Sequence, residues 1–214
     1  MKKYLLVEGI TDVAFVKYIC YKNGVTNKFN DFSQDKNQYV YDNLIIIDLK
    51  GQDKLEQELI YLKDEEIQIE QIAIIQDADK DFKKSEESIK VSIKNSNIDK
   101  NKIKIFLTPN NKDLGDLETL LLSTIDKNNI LECYNDYEIC LQKEHDIYEK
   151  ALNKGKVHAY TMYSQQGENL HKPQDSFISK KGKDTKLWDL NRDEFKPIVE
   201  FILNAYMSNN KGII

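Results

Sequence analysis

The apolar positions fall into short blocks whose spacing alternates between two kinds. Residues 4–7, 43–49 (around Leu44, Ile45, Ile46 and Ile47), 72–76 and 103–107 are nearly continuous apolar runs. Runs of this length, rich in Ile, Leu and Val, predict strands buried on both faces. Between and after them the spacing becomes helical, over about 12–22, 54–62, 82–94, 116–122, 130–152, 157–163 and 195–207. Thr11 is placed to cap the first helix and Gly24 to close it. Residues 25–41 and 165–186 are polar and predict loops, the second lysine-rich and mobile. Strand followed by helix, four times over, predicts an α/β fold: a parallel sheet of about four strands with helices on both faces. Residues 1–125 form the expected α/β core. Residues 126–214 are expected as a helical extension that completes the same domain.

Composition narrows the class. The 214 residues are 40% hydrophobic and 31% charged, with 3 Pro and 8 Gly, so the chain is globular with a heavily charged surface and no linker-like region. The net charge of −5 argues against a general nucleic-acid glue, so a nucleic-acid partner must meet a local basic patch or be reached through metal. Cys20, Cys133 and Cys140 form no CxxC pair and read as buried or half-buried thiols in a reducing compartment. No apolar stretch reaches secretory or membrane length, and the expectation is a soluble cytoplasmic protein without a membrane partner.

Two of the apolar runs stop in acid. The first leads into Glu8-Gly9-Ile10-Thr11-Asp12, the third into Asp77-Ala78-Asp79-Lys80-Asp81. In an open α/β sheet both ends lie at one rim, where sites gather. Carboxylates crowded there repel unless a cation sits between them. If the third strand continues, Asp77, Asp79 and Asp81 share one face. Each has an ordinary structural role as well: Asp12 suits a helix dipole, Asp81 an N-cap and Asp77 a turn. Hard oxygen donors without His or Cys suit Mg²⁺ or Mn²⁺, one ion or two, rather than zinc.

The pair Val7-Glu8-Gly9-x-x-Asp12 and Asp77-x-Asp79-x-Asp81 resembles the Toprim domain of topoisomerases, primases and several nucleases. The resemblance covers roughly residues 3–123 and implies a Rossmann-like Toprim fold. It implies Glu8 as general acid or base, Asp77 and Asp79 as Mg²⁺ ligands, and Asp81 as a third acidic position. The stretch from Phe106 to Asn110, followed by Gly115-Asp116-Leu117-Glu118, is similar to small stand-alone Toprim proteins of unknown function and to the Toprim half of the OLD nucleases. That likeness implies Glu118 as a further ligand and leaves Asp116 as a helix cap. Lys154-Gly155-Lys156-Val157-His158 resembles a lysine segment of the same proteins and implies Lys156 beside the metal, with Lys154 next to it. His158 reads as a packed or capping residue. The sequence holds neither the ATPase half of an OLD protein nor the zinc and tyrosine modules of a topoisomerase.

The resulting expectation is metal-dependent phosphodiester hydrolysis of DNA or RNA, with Glu8, Asp12, Asp77, Asp79, Asp81 and Glu118 on metal and Glu8 and Lys156 catalytic. Lys80, Lys83, Lys84, Lys172, Lys180, Lys181, Lys183 and Lys186 would supply basic walls, and Phe177 and Trp188 a stacking surface. The alternative is a non-catalytic module that binds metal or nucleotide, or docks a separately encoded partner such as an ATPase. A receiver domain fits Glu8-Gly9 poorly. A haloacid-dehalogenase phosphatase would carry its Asp-x-Asp after the first strand, and no Walker loop is present. The apolar members of 130–152 and 195–207 either cap the sheet or form a homodimer face.

Overall fold

The computed structural model describes residues 1–126, 128–143, 149–164, 173–178 and 184–207. In chain order the elements are β1 (Lys2–Val7), α1 (Ile10–Lys22), β2 (Ser33–Asp35), β3 (Gln38–Tyr41), β4 (Leu44–Asp48), α2 (Leu55–Lys63), β5 (Ile69–Asp77), α3 (Phe82–Ser96), β6 (Ile103–Thr108), α4 (Leu117–Ser123), α5 (Asn129–Gln142), α6 (Glu149–Ser164) and α7 (Lys196–Met207). The fold is α/β. The four expected strands lie side by side as β4-β1-β5-β6 and run parallel.

The sheet is nevertheless mixed and six-stranded, because residues 25–41 are not all loop. β2 and β3 form an antiparallel hairpin that extends the β4 edge, in the order β2-β3-β4-β1-β5-β6. The hairpin is hidden in the sequence because β2 is wholly exposed and polar, so no hydrophobic alternation marks it. Its turns carry Lys36 at φ 53° and Asp42 at φ 51°, not the usual glycine. Phe32 and Tyr39 anchor it, and the Lys17 ammonium lies 4.6 Å from the Phe29 ring centroid and 5.6 Å from that of Tyr39.

Alternation along the central strands sends successive side chains to opposite faces. Leu5, Val7, Ala73 and Ile75 pack on one side with α1, α4 and α7, whereas Tyr4, Leu6, Ile72 and Ile74 pack on the other with α2 and α3. The first core also takes in late residues. Phe177 and Trp188 are 0% and 2% exposed, with Phe177 5.5 Å from Phe15 between ring centroids. They are core residues, not a stacking surface, and the described part of the region expected to be mobile is docked on α1. Lys172, Lys180, Lys181 and Lys183 lie outside the described residues.

The C-terminal helices also differ from expectation. The helical region expected over 130–152 is two helices, α5 and α6, which meet at Gly155, where an added Cβ would lie 1.8 Å from the Tyr134 hydroxyl. α7 caps the sheet, with Phe201 5.2 Å from Phe106 between centroids and the Lys3 ammonium donating to the Tyr206 carbonyl. On α5, Tyr137 and Ile139 are exposed. Cys20 is buried, and burial pushes its thiol up to about 12, but Cys133 and Cys140 are exposed, against expectation. Among the described residues no helix is long and apolar enough to cross a membrane.

Candidate active site

The parallel strands end at one rim, over a cleft of about 380 Å³ lined by Glu8, Asp12, Asp48, Asp77 and Glu118 together with Lys50 and Lys154. Each carboxylate arrives on its own element. Glu8 follows β1. Asp12 sits in the first turn of α1, where its Oδ2 accepts the Gly9 amide at 3.0 Å. That helix begins at Ile10 with Gly9 at the cap, two residues earlier than the Thr11 cap the sequence suggests. Asp77 ends β5, and its Oδ1 accepts from the Thr108 hydroxyl at 2.8 Å and from the Leu117 amide at 3.3 Å. Glu118 stands in the first turn of α4, only 8% exposed.

One backbone junction brings β5 and α4 together. Asp79 and Gly115 exchange two hydrogen bonds, Asp79 amide to Gly115 carbonyl at 2.8 Å and the reverse at 3.0 Å. Asp79 is left-handed, at φ 51°, so the strand does not continue past Asp77 and the expected alternation of Asp77, Asp79 and Asp81 on one face is lost. Gly115 has φ 136°, and a Cβ there would come within 2.8–2.9 Å of the Thr119 side chain, so this position requires glycine. Asp116 is the N-cap of α4, its Oδ1 accepting from the Thr119 amide at 2.7 Å, as the sequence suggested.

The carboxylates feel one another. Asp12 is held well above the usual carboxylate range, first by burial and then by the negative charges of Asp77, Glu8 and Glu118. Burial and the nearby Asp116 charge push Glu118 up to about 7, and Lys154 acts in the opposite direction. Like-charge crowding of this kind marks a centre short of positive charge.

The structure therefore brings Glu8, Asp12, Asp77 and Glu118 to one cleft. Asp79 stands beside it and shares a partner with Glu8: Gln52 Nε2 donates to Glu8 Oε2 at 3.0 Å and to Asp79 Oδ2 at 2.9 Å. Asp81 does not line the cleft. It is the N-cap of α3, accepting from the Lys84 amide at 3.0 Å. Lys156 does not line it either. Its ammonium is 2.5 Å from Glu138 on α5, whereas Lys154 reaches the cleft. Two residues along a helix lie a little over half a turn apart, so one lysine faces the site and the other faces away. Lys80, Lys83 and Lys84 are exposed.

Two cleft residues, Asp48 and Lys50, were missed by sequence reasoning, and so was Gln52, which contacts Glu8 and Asp79 beside the cleft. Asp48 ends the buried run of β4 as Glu8 and Asp77 end theirs, and the same signal marks it. Its Oδ1 accepts the Lys50 amide at 2.9 Å, which fixes the turn that carries Lys50 and Gln52. Those two lie in a polar turn, and no spacing rule singles them out.

As a donor set, clustered carboxylates whose charge is under-compensated suit a hard divalent cation such as Mg²⁺ or Mn²⁺. Among the described residues, no group of three or more His, Cys, Asp or Glu side chains is arranged to hold an ion as it stands. The hydrogen bonds to Gly9, Thr108, Leu117 and Gln52 use oxygen lone pairs that ligation would need.

Over residues 2–207 the sequence matches a family model described as Protein of unknown function (DUF3226). No curated protein and no solved structure matches the chain.

Proposed function

We propose that this chain, which belongs to the DUF3226 family, is a Toprim-like nuclease that hydrolyses a phosphodiester of DNA or RNA with Mg²⁺ or Mn²⁺. The observation that carries the reading is the convergence of Glu8, Asp12, Asp77 and Glu118 from four elements on one cleft, where burial first, and neighbouring carboxylates second, push Asp12 and Glu118 toward protonation. Glu8, Asp12, Asp77 and Glu118 would hold the ion, and Asp79, tied to Glu8 through Gln52 at the edge of the cleft, would offer it a further oxygen. When bound, a divalent ion supplies Lewis-acid activation of the phosphoryl group and of a water.

The chain's own residues do the rest. Lys50 and Lys154 border the acidic cleft and offset the charge of an incoming phosphate. Glu8, in the turn between β1 and α1, takes or returns the proton of the attacking water at its carboxylate. Asp77 is kept in place by Thr108 and Leu117, so it changes little between states.

The alternative reading is a non-catalytic module that binds metal or nucleotide, or docks a separately encoded ATPase. It draws on the absence, among the described residues, of three acidic groups already arranged for an ion. One assay separates the two: cleavage of single- and double-stranded DNA and RNA with Mg²⁺ or Mn²⁺. The nuclease reading expects cleavage by the wild type and its loss in Glu8→Ala and Asp77→Ala proteins that stay folded. Cleavage unchanged in both variants refutes it.

A further inference from the structure

Gln52 joins two carboxylates that the fold delivers separately. Its Nε2 lies 3.0 Å from Glu8 Oε2 and 2.9 Å from Asp79 Oδ2. A primary amide nitrogen has two hydrogens, one for each acceptor. With the amide reversed, its oxygen would face two carboxylates, so the donor orientation is the one the chemistry allows. The turn that presents it is built for the purpose. Lys50 is left-handed at φ 58°, Gly51 has φ 128°, and the Gly51 amide donates to the Glu8 carbonyl at 3.0 Å. The backbone after β4 is thus fastened to the end of β1, and the Gln52 side chain reaches across to the loop after β5.

We infer that Gln52 is a latch on the acidic centre: in the metal-free protein its amide holds Glu8 and Asp79 together, and it competes with a divalent cation for Glu8 Oε2 and Asp79 Oδ2. The inference rests on the reading of the cleft as a divalent-cation site. The two amide hydrogens bring partial positive charge between two like charges, the service a cation would perform more strongly. Hydrogen bonding and ligation draw on the same lone pairs, so the amide must leave before both oxygens turn to an ion. Gln52 is exposed, and its side chain can swing into water when displaced. A competitor built into the protein raises the apparent Kd by the inverse of the fraction of time it is out of the way. The latch therefore predicts the opposite sign from a supporting residue: its removal tightens binding.

The test is calorimetric titration of Mn²⁺ into the full chain as wild type, Gln52→Ala and Gln52→Met, the last keeping the length of the stem without the amide. Thermal melts verify that all three are folded. The expected result is roughly three- to tenfold tighter Mn²⁺ binding in both variants, the range for a charge-assisted hydrogen bond discounted for exposure. In the wild type, the Gln52 side-chain amide resonances should move toward those of a free glutamine as Mg²⁺ is added. Equal or weaker Mn²⁺ binding in both variants, or amide resonances that stay put at saturating Mg²⁺, overturns the latch and leaves the cleft reading standing. Failure of the wild type and both variants to bind Mn²⁺ at all overturns the cleft reading, and the latch with it.

Discussion

Thr108, the last residue of β6, donates its hydroxyl to Asp77, the last residue of β5, at 2.8 Å. Both side chains are buried, so the orientation of one carboxylate of the cleft is set by the neighbouring strand. Thr108→Val keeps the shape and removes the donor. The Leu117 amide stays on the same oxygen, but a buried carboxylate loses the hydroxyl that donates to it. The expected loss is about 1–3 kcal/mol of stability, read by urea denaturation. An unchanged midpoint would show that the Leu117 amide alone suffices.

Stability should depend on pH through two acids of the cleft, Glu118 and Asp12. Glu118 titrates near 7 in the folded protein and near its ordinary value of 4.5 when unfolded. Between those values the native state binds more protons than the unfolded state, so stability falls as pH rises through the window. Asp12 acts in the same direction. For Glu118 the effect is on the order of 3 kcal/mol. Glu118→Gln should flatten the metal-free profile between pH 4.5 and 7 and stabilise the protein above it. Mn²⁺ affinity of the wild type should rise through the same window, because binding displaces protons. Melting curves in chelator across that range check the first expectation.

The parts legible in the sequence are those governed by one-dimensional pattern. The four central strands and the acids at their ends follow from apolar runs that stop at Glu8 and Asp77, whereas Glu118 comes only from the family resemblance, since its place just after a capping Asp116 also suits an ordinary first helical turn. What the sequence conceals needs a partner in space. The β2–β3 hairpin has no alternation to read because its outer strand faces water on both sides. The choice of Lys154 over Lys156 depends on helix phase relative to α5, which spacing alone does not fix. Asp79 looked like a continuing strand because nothing local announces its left-handed turn, which is set by pairing with Gly115. Phe177 and Trp188 sit in lysine-rich surroundings that suggest a surface, yet α1 offers them an aromatic pocket.

That pocket gives a stability prediction with no counterpart in binding. Trp188 is 2% exposed, 5.8 Å from Tyr160 and 6.3 Å from Phe177 between ring centroids, and its indole donates to the Ser176 hydroxyl at 3.3 Å. Trp188→Ala should cost about 3–5 kcal/mol. Trp188→Phe should recover part of that loss, and its affinity for single-stranded oligonucleotides should match that of the wild type. A Trp188→Phe protein that melts normally but binds oligonucleotide much more weakly would return the residue to the surface role.

The two lysines of α6 separate structure from chemistry most cleanly, because they differ by two positions and by little else. Lys154 borders the acidic cleft and lowers the proton affinity of Glu118, whereas Lys156 is paired with Glu138 on the neighbouring helix. Removing Lys154 deletes the cation that faces Glu118, so Glu118 should titrate higher still and phosphate charge in the cleft should go uncompensated. Lys154→Ala is therefore expected to lower cleavage by one to several orders of magnitude with little change in melting temperature. Loss of one preorganised donor typically costs about 10²–10³ in rate. Lys156→Ala should leave the rate within about twofold and cost at most about 1 kcal/mol, the scale of a partly exposed ion pair. Lys154→Arg, which keeps the charge, should retain more activity than Lys154→Ala. If Lys156→Ala abolishes cleavage while Lys154→Ala does not, the assignment of the cleft lysine is reversed, and α6 must turn about its axis in the working protein.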